Sequence, residues 1–280
     1  MIKSGRFGSK SVMKVIYLIV IISSIGICFL GLQSNANKER QRKVEYAKTT
    51  IKNETVKIQR LNKQILQFYQ NDQEEFLVEP VDMEKLKEME REILSLKTEA
   101  KDFDLKSNDF SVDTVEVTQG KKEMTTKIKN LKNKKEIQEQ ITALLVHAPN
   151  DWTAQTIDII INELASVTAI SKLRSKIADS ENEWNNAIIA FLTEMDTQVK
   201  YYSDLKQEIT AMSKDGVLSD SVTMDNFILI FNQLDQIKNE TLKKELVDKM
   251  DVIDNLLEKQ AMGEVIVNQE EILPSEEPLG

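Results

Sequence analysis

The sequence predicts an all-α chain in which one N-terminal transmembrane helix is followed by elongated helical-bundle or coiled-coil repeats. Three observations carry this expectation. Residues 15–32, VIYLIVIISSIGICFLGL, contain no charge and no proline. Beyond them, apolar residues recur every three or four positions, which is the period of one helix face. Helix breakers are scarce: the 280 residues include 4 prolines and 8 glycines, and neither type occurs between Pro149 and Gly216.

The apolar run decides where the chain sits. As a helix it rises about 27 Å, against a hydrocarbon core of roughly 30 Å. Lys3, Arg6, Lys10 and Lys14 precede it without a single acid. A basic leader of this kind keeps the N-terminus in the cytoplasm, so residues 33–280 are expected outside the cell membrane as the extracellular part of a single-pass protein. Lys38, Arg40, Arg42 and Lys43 pull the other way, because a basic flank after a span favours the reversed orientation. Ser34-Asn35-Ala36 offers a signal peptidase small residues. The run is longer than a cleaved signal needs, which favours retention as a signal anchor.

The expected organisation is a basic leader at 1–14, the membrane span at 15–32 and a first helical module at 33–147. A second helical region occupies 148–262, and a disordered acidic tail 263–280. The only cysteine, Cys28, lies inside the span, so the rest of the chain forms no internal disulfide and must fold by apolar burial. Ile25-Gly26-Ile27 before it is unlike a lipid-attachment site. The formal net charge is −9 and becomes more negative once the leader is set aside, which argues against a nucleic-acid partner.

After a polar joint at Gln33–Asn37, the positions Val44, Ala47, Ile51, Glu54, Ile58, Leu61, Ile65 and Phe68 form a heptad stripe. A stripe this narrow suits a two-helix seam, with a second copy or with the chain's own helices, and Glu54 interrupts it. Between Lys38 and Lys63 there are 9 basic and 3 acidic residues, a basic juxtamembrane stalk suited to anionic lipid or anionic wall polymer. The plainer alternative is a solvated basic face.

Asp82 is placed to cap a second helix, with Val81 and Leu86 at the hydrophobic staple positions. Its stripe continues through Met89, Ile93, Leu96, Ala100 and Phe103. Residues 104–120 are irregular, with Phe110, Val112, Val115 and Val117 hinting at a short extended segment. A third helix is expected from about Lys121 to Val146. Ala148-Pro149-Asn150-Asp151 then breaks the chain, and Asn150 or Asp151 can cap the next helix. From Ile160 to Met212 a stripe allows either one helix of fifty residues or two joined by a bend near Ala169–Ser171. Lys214-Asp215-Gly216 stops it, and a last helical region runs from Met224 to Met262 with a break near Asn239-Glu240-Thr241.

Three stretches look alike when their apolar helix ends are superposed. Ile65–Phe68 leads to a helix from Asp82 to about Lys97, Ile141–Leu144 to one from Thr153 to about Ser166, and Ile209–Met212 to one from Thr223 to about Lys238. Offsets of this size suit a helical repeat. Phe231-Asn232-Gln233-Leu234-Asp235-Gln236-Ile237-Lys238, Leu242-Lys243-Lys244-Glu245-Leu246 and Ile253 through Leu257-Glu258-Lys259-Gln260 resemble the extracellular helical domain of the mid-cell-anchored protein Z family. The resemblance covers about a quarter of the chain and implies a helical module on a Gram-positive cell surface. The family's long cytoplasmic part has no counterpart in the fourteen residues before the span, so its role at the division ring is not implied.

Chemistry-bearing patterns are sparse. His147 is the only histidine and has no cysteine partner, so no metal set forms around it. No nucleophile elbow, phosphate-binding glycine loop or H-E-x-x-H occurs. Asp215–Asp220 lacks the ligand spacing of a calcium hand. Glu74-Glu75 and Glu270-Glu271 read as solvated charge. No catalytic, cofactor-binding or metal residues are therefore expected, and a wall-degrading enzyme finds no acid pair. Trp184 lies on the stripe and reads as core. Trp152, just after the break, and Tyr201, beside the stripe, are the candidate contact residues. The expected activity is binding or spacing, with an envelope protein, an anionic wall polymer or a second copy as partner. The alternative is an N-terminally anchored cytoplasmic rod that organises a cytoskeletal or secretion assembly.

Overall fold

The computed structural model describes residues 9–155, 157–177 and 181–263. These are mostly helical, with one two-stranded hairpin among them. By contact the chain divides into two compact units. The first takes the residues up to Phe68 together with Glu79–Leu131, and the second takes Tyr69–Val78 and the residues from Lys132 onward. The division falls inside a helix.

The first unit is built on α1, Ser9–Leu66. Gln33–Asn37 is part of this helix and not a joint. The segment is polar but contains neither proline nor glycine, and serine and asparagine cost a helix only a few tenths of a kcal/mol each. Among the described residues, Ile16–Leu32 is exposed throughout, and α1 is long and apolar enough to cross a membrane. The heptad stripe further along is covered by the chain's own residues. Ala47, Leu61 and Ile65 are fully buried, and Ile51 and Phe68 nearly so.

The covering elements begin with α2, Met83–Leu94. As expected, the Asp82 carboxylate accepts the backbone N–H of Lys85 at 3.0 Å, and Val81 and Leu86 are both buried. The helix stops well short of Phe103. Lys121 Nζ donates to the carbonyls of Leu94 (3.2 Å) and Leu96 (2.7 Å), placing a cation at the C-terminal end of α2. A 3₁₀ turn at Ala100–Phe103 then keeps Phe103 in the core. The expected extended segment forms no strand, and only its first part stays outside a helix. Phe110 stacks on Phe103 at 5.7 Å, while Val115 and Val117 already belong to α3, Val115–Thr142. This helix starts ahead of Lys121 because the Asp113 carboxylate accepts the Val115 N–H at 3.0 Å.

In the second unit, Tyr69 and Leu77 form an antiparallel bridge that closes the 69–78 loop, whose Phe76 enters the core. The helix expected from Thr153 to Ser166 does not form, so the second of the three look-alike stretches lacks its helix. Leu145 pairs with Ile161 instead, with Val146 N–H donating to Ile160 O and Asn162 N–H to Leu144 O, both at 2.9 Å. Residues 157–161 are β-branched at four of five positions, with Ile159 and Ile161 buried and Asp158 exposed. That period of two belongs to an extended chain.

The stripe read from Ile160 to Met212 is divided between α4, Val167–Arg174, and α5, Glu183–Met212. Ala169–Ser171 lies inside α4, so the break comes later than the expected bend. Ser166 and Asn182 set the starts, each side-chain oxygen accepting an N–H three residues on. After α5, β1 (Ser213–Lys214) turns into β2 (Val217–Leu218) through Asp215 and Gly216, both at positive φ as a two-residue hairpin requires. Then come α6, Met224–Gln233, a 3₁₀ turn at Leu234–Gln236, and α7, Glu240–Ala261, capped by Asn239 where a break was expected. The core joins Trp184, Ile188, Phe191 and Met195 of α5 to Leu246, Met250 and Ile253 of α7. The expected disordered tail lies outside the described residues, apart from Gly263.

Candidate functional site

The second unit holds the polar constellations worth weighing. One is a cavity of about 180 Å³ beside α5, lined by Tyr201, Tyr202, Gln198, Glu194, Lys238 and Asn239 among others. Helix periodicity puts Glu194, Gln198 and Tyr201 on one face of α5, and the turn before α7 brings Lys238 and Asn239 opposite. Most of these groups are already engaged. Gln198 donates to Ile159 O at 2.9 Å and accepts Ile161 N–H at 3.3 Å. Asn239 donates to Ile161 O at 2.7 Å, and Lys238 pairs with Glu194 at 3.3 Å. The cavity wall therefore holds the extended segment at residues 159–161 in place.

Tyr201, expected to face outward, is half-buried and donates its hydroxyl to Gln233 O at 3.0 Å. Burial, with Glu208 nearby, pushes its pKa up. Tyr202 donates to the Glu245 carboxylate, which also pairs with Lys206 at 2.7 Å. The Lys206 ammonium and the Tyr202 hydroxyl bring Glu245 down to about 2. Trp152 is buried, not partly exposed. It is 7% exposed and packs on Phe191 with ring centroids 5.4 Å apart. A tryptophan just after a break can be drawn into the core by the extended segment beyond it. Trp184 is core, as expected, at 3% exposure.

Sequence reasoning missed the second constellation. Lys134, one of many lysines on α3, inserts its ammonium between the rings of Tyr69 (5.5 Å) and Trp184 (5.1 Å). It donates to the carbonyls of Glu74 (2.8 Å) and Glu75 (2.6 Å), and the Glu75 carboxylate accepts the Trp184 backbone N–H at 3.2 Å. Desolvation outweighs the nearby acids and lowers Lys134 to about 8. This knot ties the 69–78 loop to α3 and α5. One turn along α3, the Gln138 carboxamide is buried with neither polar atom hydrogen-bonded, and the Trp184 indole N–H is likewise unpaired. No spacing in the sequence signals either arrangement.

Neither constellation joins a serine, threonine or cysteine to a histidine. No group of three or more histidine, cysteine or acidic residues able to hold a metal occurs among the described residues, and His147 is exposed. The geometry offers packing, fixed hydrogen bonds and one apolar surface: Met224, Ile228, Leu229 and Phe231 of α6 are exposed, with only Ile230 of that helix buried. Comparison of the chain with protein-family models, curated proteins and solved structures found no match.

Proposed function

We propose that this chain is a membrane-anchored helical binding or spacer protein of a Gram-positive cell envelope, with the residues beyond Leu32 outside the cytoplasmic membrane. The observation that carries the reading is the contrast along α1. Its N-terminal apolar stretch is exposed, while its heptad stripe is buried by the chain's own residues. A bilayer is the natural cover for the first, and the unbroken helix makes the second a stalk. The likeness of residues 231–260 to the mid-cell-anchored protein Z family supports the envelope setting. The partner is an envelope protein or an anionic wall polymer.

Lys38, Arg40, Arg42 and Lys43 favour a second reading with the same anchor and the opposite side, a cytoplasmic rod. Protease added to wall-stripped cells separates the two. Digestion beyond Leu32 is expected, and full protection in intact protoplasts selects the cytoplasmic rod. Cross-linking in membranes and subsequent purification then identify the partner. Recovery of cytoskeletal or secretion components alone would count against the envelope role.

A further inference from the structure

We infer that Lys38 and Arg42 form a binding site for anionic phospholipid headgroups, fixed at the membrane surface by the continuity of α1. The inference rests on the membrane-anchor reading. Because no joint intervenes, height above the bilayer is set by helix rise. Lys38 lies six residues beyond Leu32, about 9 Å, and Arg42 ten residues beyond, about 15 Å. The headgroup layer is roughly 5–8 Å deep on each side of the hydrocarbon. Helical side chains lean toward the N-terminus, here toward the bilayer, and the long stems of lysine and arginine carry their charge further in that direction.

The opposite face of α1 selects these two cations. Arg40 pairs with Asp109 at 3.0 Å, and Lys43 donates to Asp104 O at 3.5 Å and pairs with Glu39 at 3.8 Å. Those two are taken up by the 104–109 loop and by the helix itself. Lys38 and Arg42, four residues apart, share the face turned away from that loop. Among the described residues neither side chain makes a hydrogen bond or an ion pair, and both are exposed. The neighbouring acid Glu45 is engaged by Lys48 at 2.9 Å. Two uncompensated cations on one face, within reach of headgroup phosphates, suit a lipid such as phosphatidylglycerol.

The test uses the full chain reconstituted in phosphatidylcholine bilayers, with spin-labelled phosphatidylglycerol or spin-labelled phosphatidylcholine as probe. The native chain should immobilise the anionic probe several-fold more than the zwitterionic one. In the double variant Lys38→Gln, Arg42→Gln this preference should fall about two-fold or more, leaving what the leader's cations, Arg40 and Lys43 contribute. Lys52→Gln with Lys63→Gln, at cations further from the span, should leave it unchanged. Equal immobilisation of the two probes by the native chain overturns the inference, as does an unchanged preference in the double variant. If neither probe is immobilised, α1 is not in the bilayer; the anchor reading fails and takes the inference with it.

Discussion

A β-carbon on Gly120 would stand 2.9 Å from both Cδ1 and Cγ2 of Ile58, so α3 approaches α1 at a separation that only glycine permits. Gly120→Ala sets two effects against each other. Helix propensity gains about 1 kcal/mol, and overpacking costs about 1–3 kcal/mol. Because Cγ2 is a branch close to the backbone and not a flexible tip, overpacking should win. The variant should unfold at lower urea concentration than the native chain. Combining it with Ile58→Ala should recover part of the loss, which a double-mutant cycle measures as coupling. An unchanged midpoint would mean the two helices are further apart.

Lys134 gives the second unit a distinctive alkaline behaviour. Its folded pKa is about 8 against an ordinary 10.5, so between these values the unfolded chain binds the extra proton. Stability should therefore rise with pH from about 8, the cost of burying the charge being relieved as the ammonium deprotonates. Tyr69 works in the opposite direction above about 10, because burial and Glu74 raise its pKa and the unfolded phenol ionises first. The informative window is thus pH 8 to about 10. Urea midpoints across it should climb for the native chain and flatten for Lys134→Met. A native slope no steeper than the variant's would contradict the knot.

The two tryptophans and Tyr201 should separate cleanly. Trp152→Ala and Trp184→Ala each remove a buried ring and should cost about 3–5 kcal/mol. Tyr201→Phe removes one hydrogen bond, to Gln233 O, and should cost about 1 kcal/mol. Denaturant titration ranks the three. A negligible effect of Trp152→Ala would return that ring to the surface.

Gln138→Leu should stabilise the second unit. The carboxamide is 1% exposed and both its polar atoms are unpaired, a cost of about 1–3 kcal/mol that a leucine of similar size avoids. Calorimetry of the variant should show a higher melting temperature. A lower one would reveal a partner for the amide.

How far the fold can be read from the chain depends on the range of the forces involved. Local chemistry was legible: Asp82 capping α2, the Asn239 break and Trp184 on the stripe are all set within a turn or two of chain. The stripe at 44–68 was legible as something needing cover, although its period does not say whose helices supply it. Residues 153–166 misled because a three-four apolar spacing and a run of β-branched residues overlap there. The competition is decided by pairing with Leu145, which is distant in space until the chain folds. Polar residues at Gln33–Asn37 suggested a joint, yet polarity without glycine or proline does not end a helix. At the candidate site, spacing put Tyr201 beside the stripe and facing outward, whereas it is half-buried and lines the cavity. The Lys134 knot depends on carbonyls about sixty residues away, and no local pattern encodes that.

Retention of the full chain in membranes under alkaline carbonate extraction tests the anchoring role of α1 most directly. The expected result is that the full chain stays with the membrane pellet while residues 33–280, expressed without the apolar stretch, appear in the supernatant. Release of the full chain by carbonate would contradict a membrane-spanning α1, and with it the stalk.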